Sequence, residues 1–237
     1  MTKCALLYFG LTRTLAKCIE KMKENIFNVL KENNIEYDIF IHTYTIEGNY
    51  QNPWSHENTQ SYINEDVKSI LNPKHLLLDK QEEILTILNI EQYYTRLGNW
   101  TGMTPQLTKY LIRNMALALY SKKKITELFE KYKEDYDYVI FLRPDHLYLN
   151  KWDISKISSL NDTNIIISKY EWYEGCNDRF CIAKSSVALY YGKLFDYLLD
   201  YSRKKSIVSE VFLLDLLKQQ NINIIPEDYK YEVVRIR

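Results

Sequence analysis

The chain has 237 residues, of which 46% are hydrophobic and 26% are charged, and this composition is typical of a globular protein rather than a disordered one. Basic and acidic residues number 31 each, so the formal net charge is zero. A neutral chain offers nothing that favours a nucleic acid or an anionic membrane as a partner.

We recognise no targeting or membrane segment in the sequence. Residues 4–10 form an apolar run that is too short for the core of a signal peptide, and no small-residue cleavage site follows it. No stretch approaches the roughly 20 apolar residues that span a bilayer. We therefore expect a soluble, cytoplasmic protein without a membrane span. The cysteines at 4, 18, 176 and 181 match no common zinc spacing and are expected to be reduced structural thiols.

Strand and helix patterns alternate through the first half of the chain. Continuous apolar runs and helical stripes predict, in chain order, a strand at 4–9, a helix at 15–30, strands at 37–44 and 75–79, and a helix at 81–89. The polar segment 45–64 between them is predicted to be a long loop, and long loops in compact domains are often functional.

The second half continues the alternation. After a loop at 95–103, Thr104 and Pro105 are a typical N-cap and first-turn pair, and the helix that they open is predicted to break near Ser121. The later predictions are strands at 137–142 and 164–168, a loop at 170–178, an extended segment at 179–184, helices at 185–201 and 207–220, and one or two strands in 221–237. This pattern predicts one α/β domain over 1–237, with a mixed, mainly parallel sheet flanked by helices.

Ligands of open α/β sheets bind beyond the carboxyl ends of the strands, so the residues that follow each strand are the candidate site residues. After the first strand, Gly10 permits close backbone approach, while Thr12, Arg13 and the next helix N-terminus suit a nucleotide diphosphate. The alternative is a simple turn with a solvated arginine. The segment is neither a GxGxxG fingerprint nor a P-loop.

His42, Thr43 and Tyr44 end the second strand. A lone histidine in a strand is more often structural than a ligand, whereas Thr43 and Tyr44 are candidates to line a base or ribose pocket.

The strand at 137–142 runs directly into Arg143, Pro144 and Asp145. Buried charges are costly, so this pair either faces a cleft or forms an ion pair at the strand end. In a cleft, Arg143 would neutralise a leaving diphosphate, and Asp145 would hold a divalent ion or a ribose.

Acidic and basic side chains also cluster in the C-terminal half. Asp178 is the first candidate for the carboxylate base that an inverting transferase needs, and Glu210 is the second. The alternatives are a residue that braces the loop for Asp178 and a first-turn acid favoured by the helix dipole for Glu210. Near the end of the chain, Arg235 is a candidate to reach back to the phosphates.

Four short segments together resemble a family. They are Gly10-Leu11-Thr12-Arg13, Phe40-Ile41-His42-Thr43, Leu142-Arg143-Pro144-Asp145 and Asn177-Asp178-Arg179-Phe180, of which the last two are the most specific. In this order the chain resembles, over about residues 4–235, small GT-A-like glycosyltransferases of large DNA viruses, algae and bacteria.

The resemblance implies transfer of a sugar from a nucleotide-sugar donor to a hydroxyl of a glycan acceptor, in the host-cell cytoplasm if the chain is viral. It implies a donor half at about 1–150 and an acceptor half at about 151–237. Asn177, Asp178 and Arg179 would face the sugar or the acceptor. GT-A enzymes generally bind Mn²⁺ or Mg²⁺ through an Asp-x-Asp motif, and here Arg143 replaces its first acid. That departure leaves open whether Asp145 alone holds a metal.

Two other functions remain open at this point. One is a catalytically inactive module that binds a glycan or a nucleotide sugar, which the loss of an acid from Asp-x-Asp favours. The other is a nucleotidyltransferase, for which the segment after the first strand is too poor in glycine.

Overall fold

A computed structural model describes residues 2–59, 66–97 and 103–236. Parts of the predicted loops 45–64 and 95–103 lie outside these residues. The strands are β1 (Lys3–Phe9), β2 (Glu36–Thr45), β3 (Tyr50–Asn52), β4 (Glu57–Thr59), β5 (His75–Lys80), β6 (Tyr138–Leu142), β7 (His146–Tyr148), β8 (Asn164–Ser168), β9 (Cys181–Ala183), β10 (Asn223–Glu227) and β11 (Tyr231–Val233). The α-helices are α1 (Leu15–Met22), α2 (Asn28–Glu32), α3 (Val67–Leu71), α4 (Gln81–Leu88), α5 (Pro105–Phe129), α6 (Ser185–Gly192), α7 (Phe195–Lys204) and α8 (Ser209–Gln219).

Seven strands form the central sheet, in the order β10-β8-β9-β6-β1-β2-β5. β9 pairs antiparallel with both β6 and β8, and every other neighbouring pair is parallel. The predicted fold class, a mixed and mainly parallel sheet flanked by helices, is therefore confirmed. Two short antiparallel pairs, β7 with β11 and β3 with β4, lie outside the main sheet.

Both faces of the sheet are covered, which explains why the strands are continuous apolar runs. In β1, Leu7 and Phe9 belong to the core shared with α5–α8, whereas Leu6 and Tyr8 belong to the core shared with α1–α3. The four cysteines are free and buried in these cores, as expected. None of the helices in the described ranges is long and apolar enough to cross a membrane.

Two predicted helix boundaries are wrong. α5 continues through Ser121 for 25 residues, because the Ser121 hydroxyl accepts a hydrogen bond from the backbone N–H of Gly10 at 2.8 Å instead of disturbing the helix. The predicted helix 185–201 is two helices, since α6 ends at Gly192. A Cβ there would lie 2.0 Å from Oγ1 of Thr126 on α5, so only glycine allows the two helices to pack this closely.

Short elements that the sequence pattern did not predict are also present. The β3–β4 hairpin occupies the described part of the predicted loop 45–64, and a short 3-10 helix, Pro53–Ser55, connects its strands. Near the end of the chain, β11 pairs with β7, which places the C-terminal segment beside the end of β6.

Candidate functional site

The strand order places a crevice between the ends of β1 and β6. From β1 the chain continues to β2 and β5 on one side of the sheet, whereas β6 lies on the other side of β1. The strand order therefore reverses at β1, and ligand crevices in open α/β sheets form at such a switch point. An open cleft lies here and is lined by residues that include Gly10 and Arg143.

The charged side chains that line the cleft are mainly basic, although the whole chain is neutral. Its basic side chains are Arg13, Arg113, Lys122, Arg143, Arg179 and Arg235. Among the described residues, Asp178 is the one carboxylate side chain on its wall. A concave surface lined mainly by one sign of charge concentrates the field and attracts ligands of the opposite sign. The cleft therefore favours an anionic ligand.

Arg143 and Asp145 form a bidentate ion pair directly after β6. Nε of Arg143 donates to Oδ1 of Asp145 at 2.9 Å, and Nη2 donates to Oδ2 at 2.8 Å. The Asp145 side chain is fully buried, whereas that of Arg143 stays partly exposed to the cleft. The ion pair considered from the sequence thus exists, and it presents its arginine side to the crevice.

Arg13 links the segment after β1 to this pair. Its Nη2 lies 3.0 Å from Oδ2 of Asp145, and its Nη1 lies 3.1 Å from Glu57 on β4 and also donates to the hydroxyl of Tyr50 on β3. Arg13 is therefore a buried, ion-paired residue and not the solvated arginine of a simple turn. No sequence pattern predicted that Glu57 or Tyr50 would contact Arg13.

Electrostatics keep Asp145 ionised. Burial by itself would raise the pKa of this carboxyl, but the guanidinium groups of Arg143 and Arg13 outweigh it and hold the pKa well below the usual range. Burial lowers the pKa of the neighbouring His146 well below its usual value, so that ring is neutral. His146 stacks on Tyr231 with ring centroids 4.3 Å apart.

The C-terminal segment completes this side of the cleft. Because β11 pairs with β7, the backbone N–H of Val234 reaches the carbonyl of Asp145 at 2.9 Å. The next residue, Arg235, lines the cleft with its guanidinium 3.8 Å from Glu57. Arg235 thus lies in the same cleft as Arg13 and Arg143, and its contact with phosphate stays a prediction.

The direction of β9 places the segment before it, which contains Asp178 and Arg179, at the cleft. Because β9 runs antiparallel to β6, its first residue, Cys181, lies opposite Phe141 near the carboxyl end of β6. The residues just before β9 therefore meet the crevice, and both Asp178 and Arg179 line it. Arg179 also pairs with Glu171 at 2.7 Å.

Glu210 lies close to Asp178, in the first turn of α8. It is buried, and its carboxylate accepts a hydrogen bond from the Ser209 hydroxyl at 3.0 Å. Burial raises the pKa of Glu210, and the nearby Asp178 raises it further. A Cβ on Gly175 would lie 2.0 Å from the Glu210 carbonyl carbon, so a glycine at 175 is what lets the loop before β9 pack on the helix start.

Lys122, on α5, is a cleft residue that the sequence analysis missed. Its ammonium donates to the Asp178 carbonyl and to the Tyr191 hydroxyl, each at 3.0 Å, and lies 4.7 Å from the ring centroid of Phe9. Burial lowers the pKa of Lys122 to about 8, although Asp178 opposes that shift. A signal existed, because Lys122 falls on the apolar stripe of α5 between Ala118 and Ile125.

Behind the cleft, a buried chain of hydrogen bonds holds the segment after β1. Nδ1 of His42 lies 2.7 Å from the Ser121 hydroxyl, and Nε2 lies 3.0 Å from Asp79. The same hydroxyl accepts the Gly10 N–H. His42 is fully buried and takes part in these hydrogen bonds, which agrees with a structural role rather than a ligand-binding one. The Gly10 N–H is likewise committed to Ser121, so it is not available to a phosphate.

Besides the buried Asp145 and Glu210, three further predicted site residues do not line the cleft, namely Thr12, Thr43 and Asn177. Thr12 and Thr43 line a separate shallow depression near Asp66. The Asn177 side chain is buried, donates to the Tyr170 carbonyl at 2.8 Å and accepts from the Arg179 N–H at 2.9 Å, so it braces the loop. Tyr44 does line the cleft, and its hydroxyl donates to a backbone carbonyl of α5.

The residues around Asp145 do not fit a divalent cation. Mg²⁺ and Mn²⁺ favour several oxygen ligands, but both Asp145 oxygens already accept hydrogen bonds from arginine. Within residues 2–59, 66–97 and 103–236, no group of three His, Cys, Asp or Glu side chains is arranged to hold a metal ion. The metal role predicted for Asp145 gains no support from this geometry.

Comparison with solved structures gives a likeness of fold. No family model matches the chain, and no curated protein matches it in sequence. Among solved structures, the chain is similar to the apo form of mouse xyloside xylosyltransferase 1, with a TM-score of 0.45. The alignment has 11% identity and covers 95% of this chain and 85% of that one. At this identity and TM-score, the likeness says nothing about activity or substrate.

Proposed function

We propose that the chain is a GT-A-type glycosyltransferase that moves a sugar from a nucleoside-diphosphate sugar to a hydroxyl of a glycan. The observation that supports this most is the crevice between β1 and β6, which is lined by several basic side chains and by the carboxylate of Asp178. A diphosphate carries the negative charge that such a crevice attracts, and the carboxylate is of the type that deprotonates a hydroxyl.

On the donor side, built mainly by residues 1–150, Arg143 contacts the diphosphate. Arg13 and Asp145 hold Arg143 in place from below, and Arg235 adds positive charge from the C-terminal segment. Charge-assisted bonds from a guanidinium stabilise the charge that develops on a leaving diphosphate. Trp54, at the rim of the cleft and 40% exposed, offers a face on which the base stacks.

On the acceptor side, built mainly by residues 151–237, Asp178 is the base that takes the proton of the attacking hydroxyl. Its side chain opens to the cleft, whereas Glu210 is buried and does not line the cleft. Glu210 therefore shapes the electrostatics around Asp178 and is the weaker candidate for the base. Arg179 lies beside Asp178, with its Nε 3.7 Å from Oδ1, and orients it.

The first test is a thermal-shift screen of nucleoside diphosphates and nucleotide sugars. A ligand present at 100 times its dissociation constant stabilises a fold by about 2.7 kcal/mol, which such a screen detects. We expect nucleotides that carry one particular nucleobase to raise the melting temperature, and we expect Arg143→Ala to lose this increase. The matched control is Arg203→Ala, because Arg203 is an exposed arginine on α7 that pairs with Asp200. A folded protein that no nucleotide stabilises would contradict the donor site.

An inactive binding module remains an alternative, because an arginine stands in place of the first acid of Asp-x-Asp. A turnover assay separates this alternative from an enzyme. With the stabilising nucleotide sugar and a mixture of glycan acceptors, we expect release of the nucleoside diphosphate. Asp178→Asn should lower kcat by about 100-fold or more, in the range that a general base contributes, with little change in donor affinity. Binding without release, across a broad acceptor panel, would favour the module.

A further inference from the structure

The acid nearest the candidate phosphate site is occupied by arginine. Oδ1 of Asp145 accepts from Nε of Arg143 at 2.9 Å, and Oδ2 accepts from Nη2 of Arg143 at 2.8 Å and from Nη2 of Arg13 at 3.0 Å. A carboxylate that receives three charge-assisted bonds inside the protein keeps little capacity for a cation. Its fully buried side chain is below the cleft wall rather than on it.

The second buried acid of this region is used in the same way. Glu57 lies 3.1 Å from Nη1 of Arg13, and its other oxygen accepts the backbone N–H of Ile236 at 2.9 Å. Asp145 and Glu57 together compensate the buried charge of Arg13 and fix its position. Both acids therefore form ion pairs with arginines below the cleft, and the charged side chains that face the cleft are mainly basic.

One guanidinium nitrogen of Arg143 remains for a ligand. Nε and Nη2 of Arg143 are bound to Asp145, whereas Nη1 makes no hydrogen bond to any residue in the described part of the chain. Nη1 lies over Gly10, where a Cβ would be only 3.3 Å away. The glycine thus leaves room for the guanidinium at the mouth of the crevice, with an orientation fixed by the bidentate pair.

Given the proposed function, on which this inference rests, we propose that the cleft binds the diphosphate without a metal ion. In this arrangement Asp145 is a positioning residue that aims Arg143 at the phosphates. Lys122, Arg179 and Arg235 supply further positive charge along the same cleft. These arginine and lysine side chains neutralise the phosphate charge, as a divalent ion does in sites whose carboxylates are free to bind it.

Isothermal titration of the full chain tests this inference, with inorganic pyrophosphate and nucleoside diphosphates as probes, in EDTA and in Mn²⁺. We expect pyrophosphate to bind in EDTA at least as tightly as in Mn²⁺. Arg143→Gln should weaken binding about tenfold or more, and Arg143→Lys should weaken it less because it keeps the charge. The control Arg203→Gln should leave the affinity unchanged.

A double-mutant cycle separates positioning from a general structural effect. Asp145→Asn should weaken pyrophosphate binding in the wild-type background and have little further effect in Arg143→Gln, since it acts through that arginine. Circular dichroism establishes that each variant is folded. If Asp145→Asn does not fold, Arg143→Gln and Arg143→Lys carry the test.

The outcomes distinguish this inference from the proposed function. Binding that requires Mn²⁺, and that Asp145→Asn abolishes, would overturn the metal-free site, as would the absence of pyrophosphate binding in both media. Pyrophosphate binding in EDTA without affinity for any nucleoside diphosphate would support the arginine site and contradict the glycosyltransferase proposal instead.

Discussion

Lys122 makes the stability of the fold depend on pH in a way that can be calculated. Burial lowers its pKa in the folded chain from 10.5 to about 8. Between these values the unfolded chain binds a proton that the folded chain has released, so the free energy of unfolding rises with pH. The whole difference corresponds to about 3 kcal/mol, of which about 1 kcal/mol is gained between pH 7 and 9.

Replacing Lys122 by methionine removes this titration while keeping a side chain of similar length. We therefore expect the wild type to gain about 1 kcal/mol over Lys122→Met between pH 7 and 9, on the same linkage argument. Urea unfolding at several pH values measures the difference. Other titrating groups cancel from it because both proteins contain them.

The neighbouring lysine provides the control. Lys123 is partly exposed and pairs with Asp196 and Glu127, and these acids raise its pKa against the effect of burial. The difference between the wild type and Lys123→Met should therefore stay constant from pH 7 to 9. A difference for Lys122→Met that is equally constant would refute the view that Lys122 is a desolvated lysine at the floor of the cleft.

Three further substitutions test the packing around the site. Gly175→Ala places a Cβ 2.0 Å from the Glu210 backbone. Thermal unfolding should show a loss of stability of about 1–3 kcal/mol or more, as overpacking causes. The control Gly48→Ala, at a position with nothing within 4 Å, should cost only backbone strain of about 1 kcal/mol. Gly10→Ala, at a φ of +98°, should weaken pyrophosphate binding in titration by displacing Arg143; unchanged affinity would contradict the close approach. Asp79→Asn should lower the melting temperature by weakening the bond to His42, and an unchanged melting temperature would show that this chain of hydrogen bonds adds little.

The positions of two cleft arginines were predictable because strand ends share an edge of the sheet. Arg13 and Arg143 follow apolar strands, and parallel strands bring their carboxyl ends to one edge of the sheet, which is why both were predicted as site residues. The charge of the pair Arg143 and Asp145 after so hydrophobic a strand also indicated an ion pair or a cleft, and the structure contains both.

Other parts depend on long-range pairing that local patterns do not encode. Glu57 and Tyr50 reach Arg13 through a hairpin of two three-residue strands, too short for any periodicity. The direction of β9 is set by its neighbours β6 and β8, and this direction decides that Asp178 meets the cleft. By contrast, the position of Lys122 on an apolar stripe was a readable signal of a buried lysine.

The most direct test of the account is a crystal structure of the chain grown with the nucleoside diphosphate that stabilises it most. We predict that the diphosphate lies in the crevice between β1 and β6, within hydrogen-bond distance of Nη1 of Arg143, with the Asp178 side chain in the same crevice. A nucleotide bound at any other surface, with the crevice free of phosphate, would contradict the account.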